Sequence, residues 1–111
     1  MTLQNKIAVV TGGTKGIGRA IAESLLREGA TVFICARDKF QLKRALEQLS
    51  HLGRVEGEVC DVRSEGQVKA MLDECVRCFG GIDILVNNAG VGVFGKTVEE
   101  ITPDEFEWVL Q

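Results

Sequence analysis

The stretch Ile7-Ala8-Val9-Val10 followed by Thr11-Gly12-Gly13-Thr14-Lys15-Gly16-Ile17-Gly18 decides the fold. The apolar run is short, β-branched and unpunctuated, the pattern of a strand buried on both faces of a parallel sheet. Beyond it, apolar residues recur at Ile17, Ala20, Ile21 and Leu25, which predicts a helix presenting that stripe to the core. The glycines sit at the joint. A pyrophosphate can approach a backbone closely only where no Cβ intervenes, and the unpaired N–H groups and dipole of a helix start favour negative charge there. The junction therefore points to a dinucleotide-binding fold.

Its spacing, Gly12-x-x-x-Gly16-x-Gly18, is not the common G-x-G-x-x-G. A second segment, Asn87-Asn88-Ala89-Gly90, ends a later apolar run containing Ile82, Ile84, Leu85 and Val86. With both motifs in this order, each after a predicted strand, the chain resembles the classical short-chain dehydrogenase/reductase family over residues 6 to 111. In that family catalysis rests on a Ser, a Tyr-x-x-x-Lys pair and an Asn, all downstream of the Asn-Asn-Ala-Gly segment. The chain has no Tyr, and no Asn follows Asn88. The resemblance thus implies the cofactor-binding first half of a longer enzyme, and residues 1–111 by themselves are expected to be inactive.

Between and after the two motifs, helical and strand patterns alternate, which implies βαβ units. Thr31-Val32-Phe33-Ile34-Cys35 reads as a second strand. Asp38 and Gln41 form a capping box for a helix carrying Leu42, Ala45, Leu46 and Leu49 on one face. A third strand near Val55 to Val59 leads to Asp61. Ser64 and Gln67 then cap a helix with the stripe Val68, Met71, Leu72, Cys75 and Phe79. The fourth strand, Ile82 to Val86, precedes an expected loop from Gly90 to Gly95, and Thr102-Pro103-Asp104-Glu105 opens a last helix with Phe106, Val109 and Leu110.

Right-handed crossovers then give an α/β fold: a Rossmann-type doubly wound parallel sheet of strand order 3-2-1-4, with both motifs ending at the switch point where ligands bind. In that arrangement the fourth strand is an edge, and its far side is expected to lie open.

The whole chain, 111 residues, suits a single dinucleotide-binding domain. Its 45% apolar and 26% charged content is that of a soluble globular protein, and a net charge of −3 argues against nucleic acid or an anionic membrane as partner. The first residues lack a signal-peptide pattern and no apolar run approaches a membrane span, so a cytoplasmic location is expected. Four cysteines are read as reduced thiols. Cys75-x-x-Cys78 has redox or half-zinc spacing, but it falls inside a helical pattern with Cys75 on the core face, so a packing role is expected and no metal. His51, near a helix end, reads as a solvated residue favoured by the dipole.

In dinucleotide folds an acidic residue at the end of the second strand binds the 2′-hydroxyl of NAD. Ala36 stands there, Arg37 follows, and Lys15 lies in the glycine turn, so two cations are available for a 2′-phosphate and NADP(H) is preferred over NAD(H). The resemblance assigns the same meaning to basic residues at these places. Asp38 could be the acidic residue displaced, yet its spacing to Gln41 reads as a helix cap.

The resemblance further implies that Asp61 meets the adenine amino group with Val62 beside the ring, that Asn88, Ala89 and Gly90 lie along the adenosine ribose, and that Asn87 ties the central strands. Thr11 would fasten the glycine loop to the later segment. Thr14 and Ile17 would line the phosphates through their main-chain N–H groups, beside Gly12, Gly16 and Gly18.

The function implied is an NADP(H)-dependent oxidoreductase moving hydride between nicotinamide and a carbonyl or secondary alcohol, a homo-oligomer (tetramer or dimer) when full length. A non-catalytic NADP(H)-binding module or partner subunit is the alternative. A sugar-nucleotide epimerase fits less well, because those chains usually carry G-x-x-G-x-x-G.

Overall fold

The structure is a computed structural model, and it describes residues 2–87 and 90–93. Five strands, β1 (Ile7–Thr11), β2 (Thr31–Ala36), β3 (Val55–Val59), β4 (Ile84–Asn87) and β5 (Gly90–Val93), alternate at first with three helices, α1 (Gly16–Arg27), α2 (Lys39–Leu49) and α3 (Glu65–Phe79). The strands form one sheet in the order β3-β2-β1-β4-β5. The first four are parallel, with Val9 of β1 opposite Phe33 of β2 on one side and Leu85 of β4 on the other. The expected order 3-2-1-4 is therefore present within the sheet.

Strand alternation sends successive side chains to opposite faces, and each face is covered by helices. Ala8, Val10, Val32 and Ile34 pack with Ala22 and Leu26 of α1 and Leu42 and Leu49 of α2. Val9, Phe33 and Leu85 pack on the other face with Val68, Met71, Leu72 and Cys75 of α3. Phe33 is fully buried and meets Phe79 edge to face, ring centroids 6.1 Å apart. Burial of a side chain of this size contributes about 1.5–3 kcal/mol. Cys75 has no exposure, as its place on the stripe predicts.

Local chemistry sets the ends of the elements. Asp38 accepts from the main-chain N–H groups of Phe40 and Gln41, both at 2.9 Å, and so caps α2. Ser64 accepts from Gln67 N at the start of α3, and Gly80 closes that helix at φ +90°, a left-handed conformation that costs glycine little. Asp83 fixes β4 to β1: its N–H donates to Ile7 O and its carboxylate accepts from Ile7 N, both at 2.8 Å.

The expectations for α1, the Gly90 region and β4 require correction. The core face of α1 is Gly18, Ala22 and Leu26, not the stripe from Ile17 to Leu25. Close approach of Gly18 to the Gly12 carbonyl sets the helix's rotation, which leaves Ile21 and Leu25 half-buried, Ala20 exposed and Ile17 75% exposed.

The segment beginning at Gly90 is a strand rather than a loop, and β5 pairs antiparallel with β4 through Ile84 opposite Val93 and Asn87 opposite Gly90. The far side of β4 is consequently not open, because its backbone groups have a partner. The apolar alternation of Val91 and Val93 was the signal for this strand, masked by the surrounding glycines. The expected helix after Thr102 lies outside the described residues.

Among the described residues no helix is long and apolar enough to cross a membrane, and no group of three or more His, Cys, Asp or Glu is placed to hold a metal ion.

Candidate cofactor-binding site

At the carboxyl ends of β1, β2 and β3 lies a cleft of about 620 Å³. Its floor is main chain held in place by hydrogen bonds between strand ends: Gly12 N donates to Cys35 O at 2.8 Å, and Cys60 N donates to Ala36 O at 2.9 Å. Thr11, the buried last residue of β1, donates from Oγ1 to Val86 O at 3.4 Å, which ties the glycine turn to the strand that leads into the Asn-Asn-Ala-Gly segment. The resemblance implies that Thr11 fastens the turn to the Asn-Asn-Ala-Gly segment itself; the bond falls on Val86, the residue just before it.

The glycine turn follows directly. Gly12 and Gly16 have φ of +67° and +61°, where a Cβ is strained. At Gly18 the constraint is distance: a methyl group there would collide with the Gly12 carbonyl, lying 2.9 Å from its carbon. Lys15, the N-cap of α1, has an extended backbone and supplies no side-chain cap, in contrast to Asp38 and Ser64. The first N–H groups of α1 are thus left without the side-chain acceptor that α2 and α3 have, at the end of the helix where the dipole favours an anion.

Of the residues singled out in the sequence, Gly12, Thr14, Lys15, Arg37, Asp61 and Val62 line this one cleft. Gly16, Ile17 and Gly18 form the first turn of α1 beside it and do not line it; Ile17 instead edges a shallow apolar groove with Leu3 and Ala20. Gly90 begins β5 opposite Asn87. Asn88 and Ala89 lie outside the described residues.

Several lining residues were not anticipated: Cys35, Cys60, Gln41 and Arg63. Asp38 also lines it, while its side chain caps α2 as the spacing to Gln41 predicts.

Arg63 makes the most contacts with another lining residue. Its main-chain N and its Nε donate to Asp61 Oδ1 at 3.0 and 3.1 Å, and its Nη2 donates to Asp61 Oδ2 at 2.9 Å. These bonds, with a smaller contribution from the charge of Arg37, lower the Asp61 carboxyl to about 2. The Asp-x-Arg spacing is the signal that could have revealed the pair, since an Asp readily accepts from the N–H two residues on.

Gln67 does not complete the expected capping box. Its Oε1 accepts from Asp61 N at 2.8 Å instead, so the first turn of α3 holds the end of β3. On the floor, Cys35 Sγ donates to Cys60 O at 3.5 Å, and burial raises both thiols, which makes them packing groups rather than nucleophiles.

The donor set fits a phosphorylated dinucleotide. The glycine approach and uncapped helix start suit a pyrophosphate, Lys15 and Arg37 supply cations, and Ala36 supplies no carboxylate at the end of β2. Among the described residues, the two carboxylates that do line the cleft are engaged, Asp38 by the start of α2 and Asp61 by Arg63.

Comparison with known proteins places the chain in a family. Residues 6–111 match the model of the family described as short chain dehydrogenase. The 3alpha-hydroxysteroid dehydrogenase of Mediterraneibacter gnavus is 36% identical over 99% of this chain and 45% of its own length. An actinorhodin polyketide ketoreductase variant solved with NADPH is 38% identical, with a TM-score of 0.73 over 94% of this chain and 40% of that one. A metagenomic short-chain oxidoreductase solved in complex with NADP is 37% identical, with a TM-score of 0.74 over 95% of this chain and 48% of that one. The chain spans less than half the length of each of these relatives.

Proposed function

The chain belongs to the short chain dehydrogenase family, and from that premise we propose that it forms the cofactor-binding part of an NADP(H)-dependent oxidoreductase acting on a carbonyl or secondary alcohol. The carrying observation is that Lys15 and Arg37 line one cleft in which Ala36 stands at the end of β2. A carboxylate at that end would hydrogen-bond a free 2′-hydroxyl and repel a 2′-phosphate, whereas two cations attract the phosphate.

Two of the similar structures carry NADPH or NADP, which supports the same choice. When bound, the nicotinamide supplies the hydride, and the residues described here bind and orient the dinucleotide. Gly12, Gly16 and Gly18 admit the pyrophosphate to the start of α1, with Thr14 and Ile17 contributing main-chain N–H groups. Asp61 and Val62 meet the adenine, and Asn88, Ala89 and Gly90 follow the ribose. The same reading takes the intact protein as a cytoplasmic homo-oligomer, a dimer or tetramer.

Titration of the intact protein with NADPH and NADH tests the cofactor choice. Each charge-assisted contact to the phosphate is worth about 1.5–3 kcal/mol, so NADPH should bind at least about tenfold more tightly. Equal affinities would overturn the proposal.

A further inference from the structure

Asp61 is held more completely than any other charged residue lining the cleft. Its N–H donates to Gln67 Oε1, its carbonyl accepts from Ser64 N at 2.9 Å, and its two carboxylate oxygens take three hydrogen bonds from Arg63. Main chain and side chain are therefore both fixed, and the guanidinium grips the carboxylate through both oxygens. A carboxylate so held is ionised, is restrained in rotation, and offers the cleft it lines acceptor lone pairs only.

Such an acceptor discriminates chemically. A base with an exocyclic amino group can donate to it, whereas a base with an exocyclic oxygen sets lone pairs against an anion. The discrimination depends on the carboxylate keeping its place. The other cations lining the cleft are Arg37, from the end of β2, and Lys15, from the glycine turn. Without the Arg63 guanidinium, only the main-chain N–H of residue 63 still holds Oδ1, and Oδ2 is free to turn toward them or to water.

We infer that Arg63 is a positioning residue for base selection: by gripping Asp61 it makes the β3 end of the cleft prefer a 6-amino purine over a 6-oxo purine. The inference rests on the dinucleotide reading above. It does not depend on the choice between NAD(H) and NADP(H), because the base is common to both.

The test uses the intact protein with NADPH, NADH and the two corresponding reduced hypoxanthine dinucleotides, titrated by nicotinamide fluorescence against wild type, Arg63→Gln and Arg63→Lys. Wild type should bind the adenine forms about tenfold more tightly than the hypoxanthine forms, the effect of one hydrogen bond to a charged group. Arg63→Gln should lower that ratio below about threefold, and Arg63→Lys, which keeps the charge but not the fork, should recover part of it.

A ratio unchanged in Arg63→Gln, equal weakening of both bases, or a wild type that does not distinguish them would overturn the inference. A wild type preferring NADH, with the base ratio still dependent on Arg63, would overturn the proposed cofactor and leave this inference standing. Failure to bind any of the four would overturn both.

Discussion

The side-chain amide oxygen of Gln67 accepts the main-chain N–H of Asp61 at 2.8 Å, so a residue in the first turn of α3 fixes the last turn of chain before that helix. This bond connects helix packing to the cleft: α3 is anchored on the sheet by Val68, Met71, Leu72 and Cys75, and through Gln67 it sets where Asp61 stands. Gln67→Leu should cost about 0.5–1.5 kcal/mol, the net value of one such bond, with the loss read as a lower urea midpoint at unchanged slope. An unchanged midpoint would mean that water replaces the amide oxygen at no cost.

Substitution of Arg37 by Asp places a carboxylate beside the position where a 2′-phosphate is proposed. The preference between NADPH and NADH should reverse, with the NADPH affinity falling about tenfold or more. Paired titrations of wild type and Arg37→Asp measure this, and a proportional loss for both cofactors would instead indicate general damage to the cleft.

Gly18→Ala introduces a methyl group against the Gly12 carbonyl, a main-chain atom that cannot step aside. Overpacking of this kind costs about 1–3 kcal/mol. Thermal unfolding should show the loss of stability, and dinucleotide affinity should fall with it. Gly66→Ala is the control: a Cβ there meets nothing within 4 Å, and the position is inside α3, where alanine is the better helix former.

The Asp61–Arg63 pair gives stability a defined pH signature. The folded-state carboxyl is lowered to about 2, below its unfolded value of roughly 3.9. Its contribution is therefore fully present above about pH 4 and is lost as pH falls through about 2. Urea midpoints of wild type and Arg63→Gln should differ at pH 6 and converge toward pH 2. A gap that stays constant across that range would show that the pair does not act through ionisation of Asp61.

The four thiols should separate by accessibility. Cys35, Cys60 and Cys75 are buried, and burial raises Cys75 to about 12, whereas Cys78 is partly exposed. One thiol should react promptly with an aromatic disulfide reagent in the native protein and the other three only on unfolding. Peptide mapping should identify the prompt one as Cys78.

Where periodicity and cap chemistry agree, the local sequence was enough. Leu42, Ala45 and Leu49 behind the Asp38 cap, and Val68, Met71, Leu72 and Cys75 behind Ser64, are buried as their spacing requires. The parallel order of the first four strands was also legible, because short apolar strands joined by helices admit few right-handed topologies. Most of the cleft was marked in advance by the glycine turn, Lys15, Arg37, Asp61 and Val62.

Tertiary structure decided what depends on approach rather than period. Ile17 and Ala20 match a helical stripe, yet α1 is rotated by contact between Gly18 and the Gly12 carbonyl, two turn residues whose meeting no spacing rule encodes. Val91 and Val93 alternate too briefly among glycines to announce a strand, and β5 forms on the edge that β4 offers. Arg63 follows Asp61 by two residues, a spacing at which the turn hydrogen bond was legible, but that its guanidinium also closes on both carboxylate oxygens at the rim of the cleft is seen only in the folded chain. By itself, then, the sequence determined the first four strands, the helices α1, α2 and α3, and the turn where main chain lies bare of side chains, because those follow from side-chain size, period and the lack of a Cβ. The rotation of α1 and the fifth strand were left to the folded chain, because each is a contact between groups whose positions only packing defines.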